Sequence, residues 1–264
     1  MLTIGVSMMR NEVDLAVDIV SHMLNQVDQV WVLDNGSTDG TREALRDMRS
    51  SRITIIDDPV QGYYQSAKMT NLANQAWAAN SHRDCAILPF DGDEWWQPSD
   101  ADLTITDVLE ESASQGFKIL TAKLYDYRCT AKDIESASSP IDRMVWRCRD
   151  PAPLPKVAVV WSNGCVIHQG NHGATVPGDP EPVPADLIVR HYPWRSAEHM
   201  ARKACQGKAA YDATDLPFEL GQHWREYGQH YERGGMDAIR DIFDTWFYSD
   251  DPASDGLILD PARP

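Results

Sequence analysis

Residues 85–94 read Cys-Ala-Ile-Leu-Pro-Phe-Asp-Gly-Asp-Glu, an apolar run that ends in a turn rich in carboxylates. The run predicts a buried strand, because its length and apolar character suit a strand covered on both faces. Asp91 and Asp93 then stand one residue apart at the strand's end, a spacing that suits a hard cation such as Mg²⁺ or Mn²⁺. Gly92 would let the backbone turn so that both carboxylates face a cleft. A polar turn that only closes a strand explains the same three residues equally well.

Strand and helix signals alternate on both sides of this run. This alternation predicts an α/β fold, in which helices flank a mostly parallel, Rossmann-like central sheet. Such sheets bind ligands at the carboxyl ends of their strands, and the turn-rich motifs after the first, second and fourth strands fall at that edge. The predicted strands are 2–9, 29–33, 53–56, 85–90 and 118–125, and the predicted helices are 13–27, 41–49, 66–80 and 101–115.

The second half of the chain has a different pattern. Residues 170–186 are rich in Gly and Pro and predict a long loop, of a length that is often a lid or a binding loop. Short strands are predicted around this loop and a helical C-terminal segment after it. The strands are 157–161, 165–168 and 187–191, and the helices are 196–211, 219–232 and 236–248.

Composition limits the classes of function. The 264 residues are 42% hydrophobic, enough for one compact α/β domain with or without a helical appendage. A net charge of −16 repels nucleic-acid backbones and anionic membranes. The five cysteines include no Cys-x-x-Cys pair, which argues for a reducing compartment, and no apolar run approaches the ~18 residues of a membrane span. These features predict a cytoplasmic protein with no membrane span.

Three motifs occur in order: VSMMRNE at 6–12, VLDNGSTDGT at 32–41 and DGDE at 91–94. Together they resemble the family 2-like glycosyltransferases of the GT-A fold. Those proteins place an Asn-Glu pair after the first strand, an Asp-rich Gly-Ser-Thr-Asp-Gly-Thr turn after the second, and an Asp-x-Asp metal motif near residue one hundred. The resemblance implies that residues 1–125 form the nucleotide-sugar-binding half of a GT-A domain. Residues 126–194 would then add its acceptor-side strands and loops, and residues 195–264 its C-terminal helices.

The resemblance also implies a function and roles for residues of the first half. It implies a metal-dependent transfer of a sugar from a nucleoside-diphosphate sugar, with a UDP-sugar favoured and Mn²⁺ or Mg²⁺ as cofactor. Asp34 would accept a hydrogen bond from the nucleobase or ribose, Asp91 would lie near ribose, diphosphate and metal, and Asp93 would bind the metal directly. Further nucleotide contacts are expected from Met8, Arg10, Asn11, Lys68 and Gly92.

In the second half, a His after a strand followed by Arg-Ser at a helix start resembles the late metal-site element of these enzymes. This implies that His191 is a metal ligand and that Arg195 or Lys203 holds phosphate oxygens. His172 is a further candidate metal ligand. Ser196 could cap its helix.

The catalytic base is harder to assign. An inverting enzyme needs a group that activates the acceptor hydroxyl, and many family 2 enzymes carry a late Glu-Asp pair for this purpose. The second half of this sequence has no such pair. His172, Asp179 and Glu181 are the candidates, with Asp142 as a further one, so inversion and retention both stay open.

The acceptor and the oligomeric state are not revealed by the sequence. A small-molecule, glycan or protein acceptor fits the acidic balance better than a nucleic acid. Two other functions stay open: a haloacid dehalogenase-like phosphatase, in which Asp91 and Asp93 would form the nucleophile motif, and a non-catalytic nucleotide-sugar-binding module. The phosphatase family favours Thr or Val two residues after its second Asp, where this chain has Trp95.

Overall fold

The computed structural model describes residues 1–262, and their contacts divide them into two compact units. Unit 1 comprises residues 1–59, 65–125 and 151–191, and unit 2 comprises residues 60–64, 126–150 and 192–262. In the first half of the chain the elements are β1 (Leu2–Met9), α1 (Ala16–Gln26), β2 (Gln29–Asp34), α2 (Thr41–Asp47), β3 (Ile53–Asp57), α3 (Gln65–Ala79), β4 (Cys85–Pro89), β5 (Glu94–Pro98), α4 (Ile105–Ser114) and β6 (Ile119–Thr130). The second half contains α5 (Pro140–Arg143), β7 (Trp146–Arg147), β8 (Lys156–Val160), β9 (Val166–Ile167), β10 (Ala174–Thr175), β11 (Val183–His191), α6 (Ala197–Asp212), α7 (Gln222–Trp246), β12 (Tyr248–Ser249) and β13 (Ile258–Leu259).

Unit 1 is built on a mixed sheet. Strands β4, β1, β2 and β3 lie side by side in parallel, as the alternation of strands and helices predicts. Strand β8 extends this sheet antiparallel to β4, and β6 lies antiparallel to β8. The fold is therefore GT-A-like α/β, as predicted, with a parallel half and an antiparallel half.

The core of unit 1 follows from the apolar runs of its strands. All five residues of β4 are buried, and in β1 every residue after Leu2 is buried. Helix α1 turns Ile19, Val20 and Met23 inward, at the spacing that an amphipathic helix needs. Both tryptophans of β5 are buried, so Trp95 and Trp96 are core residues, and the ring of His22 stacks on Trp95 at 3.6 Å.

Unit 2 is organised around two packed helices. The approach of α6 and α7 is close at Gly207, where an added Cβ would lie only 2.7 Å from the ring of Trp224. Arg225 of α7 donates to the carbonyl oxygen of Tyr211 at 3.1 Å. Short strands β7, β12 and β13 pair here with each other or with the second part of β6.

The C-terminal helices follow the sequence prediction closely. Residues 219–232 and 236–248 are predicted as two helices, and α7, from Gln222 to Trp246, consists of two helical stretches divided by a sharp break at Gly235. Gly235 has φ 62° and ψ −149°, a conformation that only glycine adopts readily, which explains the gap in the helical pattern. The observed units change at residue 126, where a boundary is predicted, but the predicted segment 126–194 is itself divided, since residues 126–150 belong to unit 2 and residues 151–191 to unit 1.

Candidate functional site

The turn between β4 and β5 carries the acidic motif at the carboxyl end of β4. Gly92 packs closely there, because an added Cβ would lie 3.2 Å from side-chain carbons of both Met9 and Glu12, which would have to shift by a few tenths of an ångström. Asp93 is 4% exposed and Glu94 is completely buried. The turn is thus pressed against the end of β1, as expected for neighbouring strands that end at one edge of the sheet.

Asp91 is held by three donors from other parts of unit 1. Its Oδ1 accepts hydrogen bonds from Gln65 Nε2 at 3.1 Å and from Asn171 Nδ2 at 3.0 Å. Its Oδ2 accepts from Lys156 Nζ at 2.8 Å. Sequence reasoning missed all three donors. For Lys156 a signal existed, since it is a lone cation at the start of the apolar run Lys-Val-Ala-Val-Val of β8.

Asp93 lies beside His191. The Oδ1 of Asp93 is 3.7 Å from the Nε2 of His191. Strand pairing brings the two together, because β5 and β11 are antiparallel with His191 directly opposite Glu94. The sequence predicts both residues as metal ligands, and the structure places them as neighbours.

His172 lies within the influence of the same charges. Its Nδ1 is 2.9 Å from the carbonyl oxygen of Pro155, so Nδ1 carries the proton of the neutral ring and Nε2 keeps its lone pair. Burial lowers the pKa of His172, and the positive charge of Lys156 lowers it further. The negative charge of Asp91 acts on the same ring in the opposite direction.

The loops after β1 and β2 are joined by hydrogen bonds. Asn11, in the left-handed conformation at φ 57°, accepts at Oδ1 from the backbone of Thr38 at 2.7 Å. The backbone N–H of Glu12 donates to the hydroxyl of Thr41 at 2.9 Å. Asp39 accepts from the N–H of Thr41 at 3.0 Å, at the start of α2. Asn11, predicted to contact nucleotide, therefore has a clear role in fixing the shape of this edge.

Two buried polar atoms at this edge have no hydrogen-bond partner in the structure. One is Oδ1 of Asp34 at the end of β2, whose Oδ2 accepts from the N–H of Ser37 at 3.2 Å. The other is Nε of Arg10, directly after β1. Buried polar groups are normally paired, so an unpaired acceptor and an unpaired donor are what a polar ligand would satisfy. Met8, by contrast, is largely buried in the core.

Lys68 forms an ion pair rather than facing solvent. Its Nζ is 2.6 Å from Oδ2 of Asp58, and the two side chains are about 11% and 9% exposed. The same carboxylate accepts from Asn35 Nδ2 at 2.8 Å. This cluster ties α3 to the carboxyl ends of β2 and β3.

Residues 6–132, just under half of the chain, match the family model for glycosyl transferase family 2. Over this segment the chain is similar to glycosyl transferase family 2. The matched segment contains all three motifs that carry the resemblance. The predicted resemblance to family 2 and the prediction of a glycosyltransferase enzyme are therefore confirmed. The match favours glycosyl transfer over the phosphatase alternative. A search of curated proteins finds no match to this chain.

The remaining predicted residues lie outside the segment that matches the family model. Asp179 and Glu181 are exposed on the segment before β11. Arg195 and Lys203 belong to unit 2, where Arg195 is buried and donates to the carbonyl oxygen of Tyr192, and Ser196 caps α6 as predicted. Their roles in binding phosphate or in base catalysis remain predictions.

The side chains that are predicted to bind a metal ion differ in their contacts. Within residues 1–262 no group of three or more His, Cys, Asp or Glu side chains is arranged to hold a metal ion. Asp93 and His191 fit as a pair of ligands, and Mg²⁺ is commonly held by one or two carboxylates while other positions go to water and phosphate. Asp91 fits less well, since three donors already occupy its oxygens.

None of the helices in the described part of the chain has both the length and the apolar character to cross a membrane.

Proposed function

We propose that this glycosyltransferase moves a sugar from a nucleoside-diphosphate sugar, with a UDP-sugar favoured, onto an acceptor hydroxyl with the help of Mn²⁺ or Mg²⁺. The observation that supports it most is the approach of Asp93 to His191 at the end of β4, in a chain similar to family 2. A carboxylate and a neutral imidazole are both suitable ligands for Mn²⁺. A bound divalent cation would neutralise the charge that grows on the leaving nucleoside diphosphate.

The unpaired atoms of the β1 and β2 loops suggest how the donor is held. Asp34 Oδ1 is available as an acceptor for a base or ribose donor, and Arg10 Nε is available to an acceptor on the nucleotide. The loops that carry them are fixed by their own hydrogen bonds, so little order has to be imposed when the nucleotide binds.

His172 is the base that the geometry supports best. Its Nε2 keeps a lone pair near neutral pH, because burial lowers the pKa and Pro155 fixes the proton on Nδ1. Asp179 and Glu181, the other two candidates, are exposed on the segment before β11. In this proposal Nε2 of His172 takes the proton of the acceptor hydroxyl as that oxygen attacks the anomeric carbon. His172 is then a base rather than a third metal ligand.

For the acceptor we propose a small molecule, glycan or protein rather than a nucleic acid, because the net charge of −16 opposes a polyanion. We also propose a cytoplasmic location, on the basis of an odd number of cysteines without a paired motif.

A thermal-shift screen of nucleotide sugars, with and without Mn²⁺, tests the proposal. A ligand at a hundred times its Kd stabilises a protein by about 2.7 kcal/mol, which is easily detected. We expect one donor to stabilise the chain only with Mn²⁺, and Asp93→Ala to abolish that shift. Asp102→Ala, an exposed carboxylate of the same unit, is the matched control and should keep it. Stabilisation of Asp93→Ala equal to that of the parent would refute the proposed metal site.

A further inference from the structure

Lys156 is a buried cation that contacts Asp91 and Glu94, the carboxylates on either side of Asp93 in the sequence. Its side chain is 4% exposed. Three oxygens face its ammonium group: Asp91 Oδ2 at 2.8 Å, Glu94 Oε1 at 2.6 Å and the carbonyl oxygen of Gly170 at 2.8 Å. Asp91 Oδ2 and the carbonyl oxygen of Gly170 accept hydrogen bonds from the ammonium, and Glu94 Oε1 forms an ion pair with it.

The charged form of Lys156 is favoured in this position, because two carboxylates lie within 3 Å of its ammonium group. Glu94 is completely buried and its second oxygen accepts from the backbone N–H of Asp91 at 3.1 Å. The ion pair is therefore a fixed part of the turn that carries the acidic motif.

The contacts of Asp91 oppose its use as a metal ligand. Asp91 has an ammonium on one oxygen and two amide donors on the other, so a divalent cation at Asp91 would have to displace these donors and approach a fixed positive charge. Asp93 lies 3.7 Å from His191, a group that can itself bind a metal.

We propose that Lys156 withholds Asp91 from the divalent cation, so that the protein offers the metal only Asp93 and His191. The inference rests on the proposed function. With two protein ligands the cation is held weakly in the absence of donor and keeps open positions that diphosphate oxygens can occupy. Lys156 is thus a positioning residue, which sets the number of protein ligands rather than touching the reacting atoms.

The test is a gain of metal affinity, which loss of a merely structural residue would not produce. The variant Lys156→Met with Glu94→Gln removes one charge of each sign, so no buried carboxylate is left without its partner. Because affinity rises with the number of charged ligands, we expect calorimetry with Mn²⁺ alone to give a Kd about tenfold lower than that of the parent. Adding Asp91→Asn to this double variant should abolish the gain. Lys123→Met, at an exposed position of β6, is the matched control and should leave the Kd unchanged.

A second variant decides the matter if the double variant does not fold. Asp91→Asn in the otherwise native chain should leave the Kd for Mn²⁺ alone within about twofold of the parent, because Asp91 is not a ligand. A tenfold weaker Kd would overturn the inference, as would a folded double variant with equal or weaker Mn²⁺ binding. Either result leaves the proposed function in place if Mn²⁺ still binds the parent together with UDP and is lost in Asp93→Ala. A parent that binds no Mn²⁺ even with UDP overturns both.

Discussion

The imidazole of His172 shows how much a single residue depends on its surroundings. One nitrogen is fixed by the carbonyl oxygen of Pro155, and burial lowers the pKa of the ring. The sequence predicts His172 and His191 as candidates from their positions after strands. It does not predict Lys156, Gln65 or Asn171, because a residue's role as a donor to Asp91 depends on contacts between segments far apart in the chain.

Replacement of His172 by Gln should lower kcat by a factor of about 10² to 10⁴, the usual contribution of a general base. Gln is close in size and can still bond to Pro155, so the fold should persist. The measurement is single-turnover transfer or donor hydrolysis with the donor found in the thermal-shift screen. His230→Gln, on an exposed position of α7, is the control and should retain full activity. An unchanged kcat in His172→Gln would exclude it as the base.

Stability should also respond to pH through His172. Its folded-state pKa lies below the ordinary 6.5, so the unfolded chain binds its proton first as the pH falls. The contribution of His172 to the free energy of unfolding is therefore fully present above pH 6.5 and is lost as the pH falls below that value. Urea unfolding at several pH values should show a smaller loss below pH 6.5 in His172→Gln than in the parent. An equal decline of the free energy of unfolding in both proteins would show that the pKa of His172 is not lowered in the folded state.

Asp34→Asn should weaken nucleotide binding about tenfold, which corresponds to about 1.4 kcal/mol. The amide keeps an oxygen for the N–H of Ser37, but it loses the charge that makes Oδ1 a strong acceptor. Calorimetry with UDP gives the Kd directly. Asp47→Asn, at the exposed end of α2, should bind UDP like the parent. Equal affinity in both variants would argue that Oδ1 of Asp34 faces no nucleotide.

At the scale of elements, the sequence predicts every parallel strand of unit 1, but it does not predict β5. Residues 94–98 read Glu-Trp-Trp-Gln-Pro, and their acidic start and terminal Pro resemble the end of a turn. Their strand conformation depends on pairing with β11, about ninety residues later, which no local pattern reveals. The same pairing brings His191 to Asp93, so the missed strand is the one that builds the candidate metal site.

The break in α7 gives a prediction about stability. Gly235→Ala should destabilise unit 2 by about 1–3 kcal/mol, because a residue with a Cβ is strained at φ 62° and ψ −149°. No heavy atom lies within 4 Å of the added Cβ, so the cost is conformational rather than steric crowding. Denaturant unfolding measures it, with Asp237→Ala, exposed in the same helix, as the control. A gain in stability would mean that the helix can run straight through residue 235.

At the scale of the whole molecule, the charge of −16 governs encounters with other polyelectrolytes. Fluorescence anisotropy with a labelled single-stranded DNA of twenty nucleotides should show no saturable binding at about 50 mM salt, since the excess of carboxylates over Lys and Arg repels the phosphate backbone. A basic DNA-binding domain serves as the positive control. Tight, salt-sensitive binding would contradict the exclusion of nucleic acids as acceptors.

The hydrogen bonds between the loops after β1 and β2 have a practical consequence for protein engineering. Because Asn11 and Thr41 lock these loops to each other, the backbone scaffold of the proposed nucleotide pocket is finished before any ligand arrives. A redesign of base preference would therefore begin with the unpaired atoms of Arg10 and Asp34. It would leave the other loop residues unchanged, since loss of the hydrogen bonds between the loops would lower selectivity for any nucleobase instead of changing which base is preferred.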